Sequence, residues 1–258
     1  MAQDQRGQFV WHDLMTTDPQ KAKAFYGAVI GWSTQPFEGS LIPYDMWTTS
    51  QGPLGGVMVL PEDARKAGSP PHWLAYVATA DVDETVEQAT GLGARTLVPG
   101  TDIPSVGRFG VVADPQGAVF AVYSAASPRE QPEVKPGQFS WHELATSTDP
   151  ETALGFYRAL FGWEKRQAMD MGEALGTYQI YGAPGGPDLG GIYTKPKDMP
   201  FPPHWLHYIR VDNVPATLEK VKAGGGQVLN GPMEVPGGVI AQCLDPQGAA
   251  FALHHVNA

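Results

Sequence analysis

The sequence predicts an α+β chain made of four βαβββ modules, paired into two domains that each carry a curved, cavity-forming, eight-stranded mixed sheet. Three observations predict it. One motif series occurs twice at a nearly constant offset. Helical periodicity appears in four short windows, separated by short extended runs. Gly (31) and Pro (24) are abundant while only 17% of residues are charged, a mix that favours turns and short strands over a helical bundle.

The repeat is read first, because a fixed period dictates the architecture. Trp11-His12-Asp13-Leu14 returns as Trp141-His142-Glu143-Leu144, and Asp18-Pro19 as Asp149-Pro150. Phe25-Tyr26 returns as Phe156-Tyr157, and Gly31-Trp32 as Gly162-Trp163. Pro70-Pro71-His72-Trp73-Leu74 returns as Pro202-Pro203-His204-Trp205-Leu206, and Asp114-Pro115-Gln116-Gly117-Ala118 as Asp245-Pro246-Gln247-Gly248-Ala249. All offsets lie between 130 and 132, so few insertions separate the halves. Domain 1 is expected over 1–124 (modules about 8–60 and 70–124), and domain 2 over 138–258 (modules about 138–194 and 203–256). The segment 125–137 carries Pro128, Pro132 and Pro136 and reads as a semi-rigid linker.

Each module opens on a strand, such as Phe9 to Met15 or Trp73 to Thr79. In the first helix Asp18 is the expected N-cap and Pro19 the first helical residue. Ala22, Phe25, Tyr26 and Val29 then form one apolar face. The second helix begins near Asp81, with Val82, Thr85, Val86 and Ala89 at the same spacing. In the second half Ala153, Phe156, Tyr157 and Leu160, then Val214, Thr217, Leu218 and Val221, repeat the two patterns. Gly93 and Gly224 are the expected helix stops. Short extended runs follow each helix, for example Tyr44 to Thr49, Gly56 to Leu60, Arg108 to Ala113 and Val119 to Tyr123. Gly52-Pro53-Leu54-Gly55-Gly56 and the glycine-rich run 185–191 read as turns and bulges; no Lys-Ser/Thr follows them, so they are not phosphate loops.

Composition excludes several function classes. The formal net charge is -10 and no basic cluster occurs, which argues against nucleic acid and anionic membranes as partners. The lone Cys243 permits neither an intrachain disulfide nor a cysteine-based zinc site. No signal-peptide pattern and no apolar run near membrane-spanning length is evident, so a cytoplasmic protein is expected, as monomer or homodimer.

The run Phe9 to Trp32, the paired Pro-Pro-His-Trp-Leu strand starts and the Asp-Pro-Gln-Gly-Ala-x-Phe-Ala strands resemble the glyoxalase/bleomycin-resistance/extradiol-dioxygenase (vicinal oxygen chelate) superfamily. The resemblance covers nearly the whole chain and looks like the two-domain, glyoxalase-like branch. It implies His or Glu ligands for a divalent metal on inward strand positions. The first ligand position falls on Trp11 and Trp141, another on Leu74 and Leu206, and the last-strand position on Ala121 and Ala252. The remaining one lies near Gly56-Val57 and Gly191-Ile192, where no acid or imidazole occurs. Indole, aliphatic and methyl groups offer no N, O or S donor to a transition metal. The expectation is therefore no cofactor. An off-pattern divalent metal on His142, Glu143 or His254 is the alternative.

Side-chain alternation then selects candidates. Asp13 and Glu143 share the face of Trp11 and Trp141, either as catalytic acids of a cavity or as strand acids paired with neighbouring donors. Trp11, Trp47, Tyr76, Tyr123, Trp141, Tyr208 and His254 are expected to line a site for a small, partly aromatic or amphipathic molecule. Arg108 has no counterpart in the second half and is a candidate anchor for an anionic group; a solvated Arg is the alternative. His12/His142 and His72/His204 recur in both halves, and a structural role is favoured over ligation or base catalysis. A metal-free binder of the bleomycin-resistance type is the expected function. A glyoxalase-like lyase, isomerase or hydroxylase is the alternative.

Overall fold

The computed structural model describes residues 5–40, 42–127, 133–173 and 176–257. Pro128 and Pro132 of the expected linker lie outside the described residues. Sixteen strands and five helices are present among the described residues.

The βαβββ order recurs four times. The first module is β1 (Phe9–Thr16), α1 (Pro19–Val29), β2 (Ser33–Pro36), β3 (Tyr44–Thr49) and β4 (Gly52–Val59). A short helix that sequence patterning missed, α2 (Glu62–Lys66), precedes the second module: β5 (His72–Ala78), α3 (Val82–Gly91), β6 (Arg95–Ile103), β7 (Gly107–Ala113) and β8 (Val119–Ala125). The second half repeats the series as β9 (Phe139–Thr146), α4 (Pro150–Phe161), β10 (Glu164–Asp170), β11 (Thr177–Gly182) and β12 (Asp188–Thr194). It ends with β13 (His204–Arg210), α5 (Val214–Ala223), β14 (Gln227–Val235), β15 (Gly238–Leu244) and β16 (Ala250–Val256).

Each half yields one eight-stranded mixed sheet, in the orders β2-β3-β4-β1-β5-β8-β7-β6 and β10-β11-β12-β9-β13-β16-β15-β14. Parallel pairs join β1 to β4 and β5 to β8; the hairpins β3–β4 and β7–β8 are antiparallel. The glycine-rich runs enter strands and carry the expected bulges, with register shifts at Trp47/Thr48 and at Tyr181/Gly182. Gly52–Val59 is a strand, and its Gly55 and Gly56 pair in register with both neighbours.

Helix starts follow the local code. Asp18, Asp81, Asp149 and Asn213 each accept a hydrogen bond from the backbone N–H three residues on, satisfying a donor that the first turn leaves open. Gly93 takes the left-handed conformation after α3, at φ +94°. After α5 that conformation falls on Gly225, at φ +84°, one residue later than expected, while Gly224 is the C-cap itself.

Cα packing groups the chain into two compact units that take one module from each half. One comprises Met1–Val10, Ala75–Gln131 and Trp141–Leu206; the other comprises Trp11–Leu74, Pro132–Ser140 and His207–Ala258. In the first unit α3 packs on α4 over a core that includes Phe120, Tyr157, Leu160, Phe161 and Trp163. In the second, α1 packs on α5 over Phe25, Tyr26, Trp32, Trp73 and Phe251. Burying each such aromatic contributes about 1.5–3 kcal/mol.

The repeated motifs explain which modules pair. The Asp114 carboxylate caps its own turn through the N–H groups of Gln116 and Ala118, and also accepts from the Tyr157 hydroxyl at 2.8 Å. Asp245 does the same with Gln247 and Ala249, and accepts from Tyr26 at 3.4 Å. The Phe-Tyr motif of one half thus meets the Asp-Pro-Gln-Gly motif of the other, once in each unit.

Candidate functional site

Alternation on β1 sends His12, Leu14 and Thr16 one way and Trp11, Asp13 and Met15 the other. Leu14 belongs to the core, and His12 stacks on Phe139 at 3.8 Å between ring centroids. On the opposite face three polar groups converge. The Trp11 Nε1–H donates to Asp13 Oδ1 at 2.9 Å and to the Tyr44 hydroxyl at 2.8 Å. The Tyr44 hydroxyl donates to Asp13 Oδ1 at 2.6 Å, a short charge-assisted bond. Asp13 is 4% exposed, so its carboxylate is held by these donors rather than by bulk water.

Tyr44 reaches Asp13 across the intervening β4. Asp13 pairs with Gly56, and Gly56 pairs with Met46 of β3. A Cβ on Gly56 would run into the Tyr44 ring and hydroxyl. The glycine therefore makes room for the phenol. Gly55 is tight for another reason: a Cβ there would strike the carbonyl of His12.

The second half builds the same trio. Trp141 Nε1–H donates to the Tyr178 hydroxyl at 2.8 Å, and Tyr178 donates to Glu143 Oε2 at 3.1 Å. A Cβ on Gly191 would collide with the Tyr178 ring. Burial first, and the Glu143 charge second, push the Tyr178 phenol far above its usual range, as they do for Tyr193 beside it. Both phenols stay protonated, and that of Tyr178 donates to Glu143.

The other candidates fall into smaller groups. Tyr76 is 7% exposed and lies 6.1 Å from Phe109 and 6.4 Å from Tyr123, ring to ring. The Tyr123 hydroxyl donates to the Val106 carbonyl at 3.0 Å. Tyr208 stands edge-on to His254, whose Nδ1 meets the Ser140 hydroxyl at 3.1 Å. Burial, then the charges of Arg210 and His255, lower the His254 pKa, leaving a neutral imidazole.

Two candidates stand elsewhere. Trp47 is fully buried in the core against Tyr26, Trp32 and Trp73. It lies three residues beyond Tyr44 and so takes the other face of β3. Arg108 is engaged by Asp83, through both Nε and Nη2, and by Asp102 at 2.8 Å, which corrects the picture of an anchor awaiting an anionic group. A hollow of about 320 Å³ lined by Arg6, Gln8, Arg158 and Pro184 includes none of the sequence candidates.

His72 and His204 meet the carbonyls of Pro70 and Pro202 through Nδ1, at 2.8 and 2.9 Å, in the manner of strand-end caps. His12 stands edge-on to His207 at 5.2 Å, and His142 stacks on Phe9 at 3.7 Å. His12, His142 and His207 are buried imidazoles of the kind that ligate metals. They are not on the Trp11/Trp141 face, where the usual ligand positions hold indole nitrogens that donate to oxygen. At those positions the residues present do not fit a metal. Burial pushes the Cys243 thiol up to about 12, so it offers no ready nucleophile.

Sequence reasoning missed Tyr44 and Tyr178. Their signal was present: each stands within the first two residues of a strand, and the next strand carries a Gly-Gly pair.

Comparison with known proteins agrees with this fold. The pattern of the Glyoxalase/Bleomycin resistance protein/Dioxygenase superfamily matches residues 142–253, and that of a glyoxalase-like domain matches residues 9–123. "Putative glyoxylase CFP32" of Mycobacterium tuberculosis is 35% identical over 94% of this chain and 92% of its own length. The chain belongs to the glyoxalase/bleomycin-resistance/dioxygenase superfamily. The anthracycline biosynthesis protein DauV of Streptomyces sp. strain C5 is 30% identical over 94% of this chain and 91% of its own length. Among solved structures, the Mn(II)-bound glyoxalase of Novosphingobium aromaticivorans superposes with a TM-score of 0.63 at 15% identity, covering 97% of this chain and 82% of that one. Homoprotocatechuate 2,3-dioxygenase of B. fuscum gives 0.67 at 15% identity, over 98% and 72%. These two share the superfamily fold.

Proposed function

We propose that this glyoxalase-like chain binds a small, partly aromatic or amphipathic molecule at its Trp–carboxylate–Tyr faces, without a catalytic metal at the usual ligand positions. The observation that carries this reading is the trio Trp11–Asp13–Tyr44 and its copy Trp141–Glu143–Tyr178. Each sets a buried carboxylate, held by aromatic donors, two residues along the strand from the expected metal-ligand position, which an indole occupies. Aromatic edges with a few fixed polar groups suit a flat molecule carrying a hydrogen-bonding substituent. Metal analysis of protein purified without chelator tests the metal-free part. No stoichiometric transition metal is expected; one metal per trio overturns it.

The 2.6 Å Tyr44–Asp13 bond favours a second reading, a lyase or isomerase with the carboxylate as general base and the phenol as proton donor. Asp13→Asn and Glu143→Gln would then each lower turnover of an isomerisable substrate by about a hundredfold or more with little change in Tm. Full activity in both variants rules this out.

A further inference from the structure

Resting on the ligand-binding reading of these two faces, we propose that they are not equivalent: the Asp13 face accepts a planar, multi-ring aromatic amine, and the Glu143 face does not. The juxtaposition that carries this is a pair of strand rows. In the first half, Met15 pairs with Met58, and Met58 pairs with Tyr44. One row along, Asp13 pairs with Gly56, and Gly56 with Met46. Three thioethers therefore surround the Asp13–Tyr44 pair on one sheet face, all half-buried. In the second half the same rows read Ala145–Tyr193–Tyr178 and Glu143–Gly191–Ile180.

The chemistry of the rows differs. Methionine is unbranched, polarisable and free to re-pack, and its sulfur makes favourable contacts with aromatic rings. A surface of three such side chains adapts to a broad flat ligand. Ile180 is β-branched and stiff. Tyr193 lies nearly parallel to Tyr178, with 6.3 Å between ring centroids and 17° between planes. One ring, one methyl group and one branched alkyl chain thus take the place of three movable thioethers.

Charge decides the substituent. The polar centre of the Met row is a carboxylate, and the chain carries a formal net charge of -10. A protonated amine is attracted to such a surface, and an anionic ring system is repelled.

The probe is 9-aminoacridine, a planar tricyclic cation at neutral pH, titrated by its fluorescence into the full-length protein. One molecule is expected per chain. Asp13→Asn, and the double variant Met46→Ile/Met58→Tyr that copies the other half, are each expected to weaken binding by about tenfold or more, the scale of a few lost sulfur–ring contacts or one charge pair. Glu143→Gln is expected to leave it within about twofold. Met46→Leu/Met58→Leu keeps volume and removes sulfur; its expected loss is smaller, and it serves if the larger swap does not fold. Two equal sites, or equal losses from Asp13→Asn and Glu143→Gln, or wild-type binding in both Met variants, overturn the inequivalence while leaving both faces as binding sites. Absence of binding by 9-aminoacridine and by the single-ring amine tyramine overturns the ligand-binding reading with it.

Discussion

Gly56 and Gly191 show how a single missing carbon shapes the candidate site. Each sits beneath a tyrosine ring that would collide with any Cβ placed there. Gly56→Ala should therefore drive Tyr44 off Asp13 and cost about 1–3 kcal/mol, as overpacking does. Urea denaturation measures the loss, and an unchanged midpoint would refute the packing role. Adding Tyr44→Phe to Gly56→Ala separates the collision from the hydrogen bond: the ring remains, so the cost should persist. The buried aspartates give a second prediction at this scale. Burial raises the Asp114 and Asp245 carboxyls above their ordinary 3.8. Folding then favours the protonated form, so this contribution is complete below that pH and is lost as pH rises through the folded values. Relative to Asp114→Asn, wild-type stability should fall as pH rises from about 4 and then level off. A gap that widens in favour of wild type with pH would contradict this. The alkaline side follows the same sign. Burial and the facing aspartate raise the Tyr26 and Tyr157 phenols well above 10.0, so stability should decline once unfolded tyrosines ionise, and less so in Tyr157→Phe.

At the scale of elements, the helix starts test most simply. The Asn213 side chain accepts from the Ala216 N–H at 2.8 Å, and Asn213→Ala should destabilise by about 1 kcal/mol in urea melts. Asp149 caps α4 similarly, and bonds from Thr152 hold its carboxyl below the ordinary value. That contribution is present above the unfolded pKa and is lost as pH falls through the folded one. These elements were legible in sequence because capping and apolar spacing act within a few residues. The Trp11–Asp13 face was legible for the same reason, since alternation is local. Tyr44 was not: its link to Asp13 crosses a strand, and register between strands is a long-range property. Trp47 was misplaced on the site side because its burial against Tyr26, Trp32 and Trp73 joins residues distant in sequence. Arg108 was read alone because Asp83 lies 25 residues away, on a helix.

For the whole molecule, the repeat announced four modules, and two eight-stranded sheets carry them. The repeat did not announce which modules share a core. The paired modules share apolar cores and the Tyr157–Asp114 and Tyr26–Asp245 contacts, each between residues of different halves. Among the described residues, no helix is long and apolar enough to cross a membrane. Cutting the chain between 127 and 133 should leave two fragments that stay together through gel filtration after nicking. Separate elution of folded fragments would show that the cross-half contacts matter little.

The Phe-Tyr and Asp-Pro-Gln-Gly motifs occur together in each half, yet the tyrosine of each half donates to the aspartate of the other. A single ancestral half could meet the same need by embracing an identical twin, its Tyr against the twin's Asp. Fusion of two such genes would preserve the embrace and free the copies to diverge, as they do where Met15, Met46 and Met58 of one half correspond to Ala145, Ile180 and Tyr193 of the other.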